Sequence, residues 1–365
     1  TDNKPAEALA TQAASAPGKA QVTVSTDRLQ QRLDALRTQL AKADGAARRE
    51  AGWQLAVAQL LQKHGRLREA LELPAGQLLS GWTVIPSGDL RLILERRADG
   101  LVLLDLADAS VGASLLGADS GLLFELTLRH AQTGEQVRLS SDRAWSEVAI
   151  REEPGKDAFM LRWAKPQSAT LGALVVTARV RTDATQQCLA WSLEAQGQAN
   201  PWSIWQVRFP QLALAAESPA SQLLLPQAAG VLKPVGRERL SRFHGQYPSG
   251  WMSMQLAALY DPLAGTGLYF GLHDPVGSTK DFFAESADPR GSVRLAWEIP
   301  APDMSRPGNR FALSGEAVWQ LLRGDWFDAA LIYRDWARRE AKWFPTLGAE
   351  GRADTPPWMR ELSAW

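Results

Sequence analysis

The sequence is short of cysteine, histidine, net charge and long apolar runs, and each shortage excludes something. Its 365 residues include one cysteine, Cys188. No internal disulfide can form, and no metal site can be built from cysteine pairs. Cys188 falls in the alternation Cys188, Ala190, Ser192, which reads as a buried, inert thiol. The four histidines, His64, His130, His244 and His273, are too far apart in the chain to suggest a metal cluster. Neither a metal nor another cofactor is therefore expected. No apolar run approaches the roughly 20 residues of a membrane helix. Basic and acidic residues balance, 40 against 40, so no global field draws in nucleic acid or a membrane surface. The pairs Arg96-Arg97 and Arg338-Arg339 read as solvated faces. Glycine-rich nucleotide cradles, a GxSxG nucleophile turn and EF-hand spacing are also missing.

What the chain has is tryptophan, 15 against four tyrosines. Indole stacks well on sugar rings, but it is also a large core residue, and composition alone favours the core. The length suffices for a substantial core, such as a large sandwich with appendages.

The most informative stretch is residues 241–275, SRFHGQYPSGWMSMQLAALYDPLAGTGLYFGLHDP. A polar, aromatic loop comes first, with Arg242, His244, Tyr247 and Trp251 around Pro248 and Gly250. Two apolar runs follow, Met252 to Tyr260 and Thr266 to Leu272, joined by Asp261-Pro262-Leu263-Ala264-Gly265. Pro presets φ and Gly accepts positive φ, so this spacing predicts a hairpin. Arg, His, Tyr and Trp are residue types that line sugar sites, where rings stack on a pyranose and Arg or His donates to hydroxyls. Arg242, His244, Tyr247, Trp251, His273 and Asp274 are accordingly the candidate substrate-binding residues. The competing reading makes the aromatics core and His273-Asp274-Pro275 a turn. Paired catalytic carboxylates could be drawn from Glu125, Glu194, Asp261, Asp274 and Glu298, but sequence spacing brings no two together.

Residues 1–24 read as a flexible leader. Its lack of an initiator Met and its Ala, Ser, Thr, Gln and Pro content suit a mature end left by a removed signal peptide, hence a periplasmic or secreted protein. Residues 25–74 read as a helical hairpin, started at Ser25, Thr26 and Asp27 and broken at Gly45 and Gly65. Residues 80–322 alternate in short strands with frequent turns, which predicts a mainly β fold, a large antiparallel sandwich. At Gly324 the period turns helical, with Asp325 as N-cap and Trp326, Ala329, Tyr333, Trp336 and Ala337 as one apolar stripe. Residues 323–365 form this linker helix and a tail whose Trp358, Met359 and Trp365 read as anchors for a further domain.

Tyr247-Pro248-Ser249-Gly250, Leu259-Tyr260-Asp261, Gly267-Leu268-Tyr269, His273-Asp274 and the helix GDWFDAALIYRDWA, followed by Pro357-Trp358, carry a family resemblance. Together they resemble the N-terminal β-sandwich of a group of large glycoside hydrolases distantly similar to endo-α-N-acetylgalactosaminidases and α-galactosidases. The resemblance spans about residues 80–365 and is most specific in the last third. It implies a galactose-mutarotase-like supersandwich that buttresses a (β/α)8 catalytic barrel beyond residue 365. It also implies a poly- or oligosaccharide substrate and catalytic acids on the barrel, so no catalytic residue is assigned to this chain. Rival readings are a stand-alone carbohydrate-binding module and a mutarotase-like or lyase sandwich. The expected partners are the saccharide and the rest of the same protein; homo-oligomerisation is left open.

Overall fold

A computed structural model describes residues 18–361 apart from 75, 118–120, 289–290 and 350. Three helices come first: α1 (Gly18–Lys42), α2 (Gly45–Lys63) and α3 (Leu67–Glu72). Four strands form a small antiparallel sheet in chain order: β1 (Trp82–Ser87), β2 (Leu90–Arg96), β3 (Leu101–Asp108) and β4 (Ala113–Ser114). There follow β5 (Glu125–His130), β6 (Gln136–Ser140), β7 (Trp145–Glu153), β8 (Ala158–Pro166), β9 (Gly172–Asp183), β10 (Cys188–Gln198), β11 (Trp202–Ala215), β12 (Gln222–Leu225) and β13 (Val231–Lys233). The last third holds β14 (Phe243–Tyr247), β15 (Leu256–Asp261), β16 (Thr266–His273), β17 (Lys280–Asp288), β18 (Ser292–Pro300), β19 (Phe311–Ala312) and β20 (Glu316–Leu322). Helix α4 (Trp326–Glu340), the short pair β21 (Leu347–Gly348) and β22 (Gly351–Arg352), and α5 (Pro357–Arg360) end the described chain.

Two large antiparallel sheets make the sandwich. One runs β13-β12-β15-β16-β20-β10-β9-β8-β7 with β19 beside β10, and the other runs β14-β17-β18-β11-β5-β6. The core between them takes alternate residues from each strand, as the two-residue period requires. In β10 these are Leu189, Trp191, Leu193 and Ala195; in β18 they are Val293, Leu295 and Trp297. Trp145, Trp163, Trp191, Trp297 and Trp319 are fully buried, so a third of the tryptophans fill the core. The fold class is the antiparallel sandwich expected from the sequence.

Within the small sheet β3 is buried on both faces, so every one of its residues is buried. Leu101, Leu103 and Leu106 join the main core, whereas Val102 and Leu104 meet Leu60 of α2. The helices close on themselves through Leu29, Leu33, Leu36 and Leu40 against Leu55, Ala58 and Leu61. A Cβ at Gly52 would lie 1.8 Å from the Ala109 carbonyl oxygen, so only glycine lets α2 come this close to the end of β3.

Four expectations need correcting. First, α1 begins at Gly18, inside the expected leader; Ser25, Thr26 and Asp27 are interior helical positions, because helix propensity tolerates Ser and Thr at small cost. Residues 1–17 of that leader lie outside the described residues. Second, the supposed loop at 242–251 contains β14, with Gly245 and Tyr247 buried and His244 and Gln246 exposed. Third, the apolar run after it enters the ladder only at Leu256, although Met252 is already buried. Fourth, Trp326 leaves the helical stripe for solvent, while Ala329, Tyr333, Trp336 and Ala337 are buried with Ile332 partly buried beside them.

Candidate functional site

The six sequence candidates fall in four different places, and their strands decide which. His273 and Asp274 are successive residues at the end of β16, so their side chains leave on opposite sides. Tyr247 points inward from β14, whereas Arg242 and His244 belong to its solvent side.

Asp274 is the centre of a buried polar bracket. Its Oδ1 accepts from the Val276 amide at 2.9 Å and from Ser314 Oγ at 2.7 Å. Its Oδ2 accepts from the Ser278 amide at 2.8 Å, Ser278 Oγ at 2.5 Å and Lys280 Nζ at 2.9 Å. Lys280 also donates to Gln255 Oε1 at 2.8 Å, and its ammonium lies 4.7 Å from the centre of the Tyr247 ring. Gln255 returns Nε2 to the Asp274 carbonyl at 3.1 Å, and its amide donates to the Tyr333 hydroxyl of α4 at 3.3 Å. Burial pushes the Asp274 carboxyl up, but hydrogen bonds from Ser278, Lys280 and Ser314 outweigh it and hold the group at about 2. Burial pulls the Lys280 ammonium down while Asp274 pulls it up, with a net lowering. The pair is charged, since a neutral amine would leave the buried carboxylate uncompensated. This bracket ties β15, β16, β17 and α4 together. Neither charged side chain of the pair is more than 2% exposed, as suits a support.

His273 faces the other way, under α4. Its ring stacks on Trp336 with centroids 4.5 Å apart and planes at 17°. Its Nε2 hydrogen-bonds the Tyr269 hydroxyl at 2.7 Å. Burial, followed by the Arg339 charge, lowers it to about 3, so the ring is neutral at pH 7. A Cβ at Gly271 would meet the Tyr269 ring at 2.6 Å; glycine there lets Tyr269 lean across to His273.

The outward group is the exposed one. His244 stacks on Phe283 of β17 at 4.6 Å with planes at 2°, and its Nε2 is 2.8 Å from Asp281 Oδ1. The Arg242 and Arg208 guanidinium carbons each lie 5.3 Å from the Phe283 ring centre. Arg208 donates to Glu298 at 2.7 Å and 3.2 Å. Register sets Asp281 opposite Glu298, Glu298 opposite Arg208, and Arg208 opposite Glu125, in one row across four strands. Of the carboxylates weighed from sequence, Glu298 and Glu125 thus flank one arginine on an open sheet face. Asp261 caps the β15–β16 turn by accepting from the Leu263 and Ala264 amides. Trp251 is 63% exposed beyond β14.

The structure therefore joins Arg242 with His244, and Tyr247 with Asp274, and leaves His273 and Trp251 apart. Sequence reasoning missed Lys280, Asp281 and Phe283, all on β17. The signal was the alternation of buried Phe282 and Ala284 with the outward Asp281, Phe283 and Glu285. Cys188, expected to be buried and inert, is half-buried, and burial pushes its thiol up to about 12. No described helix is long and apolar enough to cross a membrane.

Comparison with known proteins adds family information. The family described as "Domain of unknown function (DUF6259)" matches residues 311–365, which include α4. A Monosiga brevicollis protein named "Putative glycoside hydrolase 22789" is 29% identical over 126 residues, 33% of this chain and 10% of that protein. Among solved structures, the GH36 α-galactosidase AgaA of Geobacillus stearothermophilus is similar over 71% of this chain and 43% of its own, at 13% identity and a TM-score of 0.47. A galactose mutarotase-like protein of Lactobacillus casei is similar over 66% of this chain and 99% of its own, at 12% identity and a TM-score of 0.43. The chain spans about a tenth of the curated relative and less than half of the α-galactosidase. The chain is thus a β-sandwich of which 126 residues resemble, in sequence, part of a protein named for glycoside hydrolysis.

Proposed function

We propose that this chain is the non-catalytic sandwich of a glycoside hydrolase acting on a poly- or oligosaccharide, and that a (β/α)8 barrel packs on its exposed aromatic edge. The observation that carries the reading is where that edge lies. Trp343 and Phe344, just past α4, are partly exposed, as are Val276 and Trp358. The Lys342 amide donates to the Pro275 carbonyl at 2.9 Å, and a Cβ at Gly277 would lie 3.0 Å from Trp343 Cδ1. The segment after the helix is therefore laid against the loop that Asp274 and Lys280 hold rigid. Large apolar side chains grouped on a stiff support mark interaction surfaces. In this reading Arg242, His244 and Trp251 approach the substrate, and Tyr247, His273 and Asp274 hold the scaffold. The composition of residues 1–24 supports a periplasmic or secreted location.

The test is to produce the chain together with the polypeptide that follows it in its gene. Trp343→Ala with Phe344→Ala should lower the longer protein's thermal midpoint and open it to protease at the junction, while the 365-residue chain changes little. Equal effects on both would contradict the reading. A carbohydrate-binding module remains the second reading, favoured by the His244–Phe283 stack with its two guanidiniums. Saturable glycan binding by the short chain, lost in Trp251→Ala or Arg242→Ala, would select it.

A further inference from the structure

We propose that the groove between α4 and the outer face of the ten-stranded sheet is a binding site for a neutral saccharide. It lies on the face opposite the Asp274 bracket and does not depend on a barrel being present. Its origin is in the register. Gly271, Val318, Ala190 and Arg181 form one row across β16, β20, β10 and β9, and Gln320, Cys188 and Asp183 lie in the next. Helix α4 packs over β15 and β16 through Ala329, Tyr333 and Trp336. Beside it, the short side chains of Ala190, Cys188 and Val318 cannot fill the step down from the helix. The space left is about 780 Å³, within the ~300–1,000 Å³ of small-molecule sites.

The lining suits a polyhydroxyl ligand. Val318 and Ile332 give an apolar strip for the C–H face of a ring, and Gln320 and Gln186 bring amides that can donate and accept. Trp336 lines the groove, and its buried Nε1 has no hydrogen-bond partner.

Charge argues against an anionic ligand. Arg181 is held in a two-pronged pair with Glu316 at 2.6 and 3.2 Å, and Arg339 donates to Glu340 at 2.8 and 3.0 Å. Two further carboxylates, Asp183 and Asp335, also border the groove. Carboxylates therefore outnumber guanidiniums, and both guanidiniums are already engaged. Hydroxyl donors meet acceptors here, whereas a uronate meets repulsion.

The experiment is calorimetric titration of the whole chain with lactose and maltose, and with galacturonate as the anionic control. Saturable binding of at least one neutral disaccharide is expected, with galacturonate much weaker. Ala190→Phe, which fills the floor, should abolish it, and Gln320→Ala should weaken it about tenfold. Arg68→Ala, on the exposed side of α3, should leave it unchanged. If Ala190→Phe fails to fold, Gln320→Ala alone decides. No saturable binding, galacturonate binding as tightly as the disaccharides, or binding indifferent to Gln320→Ala would each overturn the proposal.

Discussion

Lys280 Nζ lies 2.9 Å from Asp274 Oδ2, and neither side chain is more than 2% exposed. A charged pair at this depth resists the loss of one partner. Lys280→Met leaves the carboxylate with its Ser278, Val276 and Ser314 donors but no counter-charge. Urea unfolding should show a loss of about 3–5 kcal/mol. The double variant Lys280→Met/Asp274→Asn should lose less than the sum of the singles, because the second change removes the stranded charge. Additive losses would mean that the pair is not coupled.

Acid should weaken the fold through His273. Its folded-state value of about 3 lies below the ordinary 6.5 because burial disfavours the charged ring. Between those values the unfolded chain binds the proton and the folded one does not. The group's contribution is therefore present above about pH 6.5 and is lost as pH falls towards 3. Asp274, held at about 2, adds a second loss only below its ordinary 3.8. The urea midpoint should drop from pH 7 to pH 5 in the parent. In His273→Phe, which retains a ring against Trp336, it should drop less. An equal drop in both would remove His273 from the explanation.

The start of α4 gives a simpler case. Asp325 accepts from the Phe327 amide at 2.8 Å, and Asp328 accepts from the Asp325 amide at 3.0 Å, a reciprocal cap. Asp325→Ala should cost about 1 kcal/mol in thermal or urea unfolding. Because α4 carries Tyr333 into the bracket, the same variant should speed amide exchange at Gln255, whose N–H donates to Tyr333.

Glycine at position 271 is the small residue that makes room for the Tyr269–His273 contact. Gly271→Ala places a methyl within 2.6 Å of the Tyr269 ring. Its expected cost is about 1–3 kcal/mol, the usual range for overpacking. By contrast, Arg242→Ala and Trp251→Ala, on the surface, should move stability by less than about 0.5 kcal/mol. If all three cost the same, the division between support and surface is wrong.

Local chemistry made part of this fold readable in advance. Asp261 to Gly265 carried its own turn geometry, and Tyr260 pairs with Gly267 as that turn requires. The Asp325 cap was likewise visible because its partners are two and three residues away. β17 was missed because Lys280 opens it with a charge that looks solvated, yet that charge is buried by Gln255, Tyr247 and Asp274 from elsewhere in the chain. The two-residue period already implied that His273 and Asp274 could not share a site. What no local pattern contains is the pairing of β14 with β17, which brings His244 to Phe283 and Asp281.

The central claim is that hydrolytic acids are not supplied by this chain, and turnover by the purified 365 residues tests it most directly. Incubated with nitrophenyl glycosides and oligosaccharides, the chain should release no sugar above the uncatalysed rate, while the longer protein does. Hydrolysis by the short chain that disappears in Asp281→Asn or Glu298→Gln, with the fold intact, would contradict it and make the Arg208 row the active site.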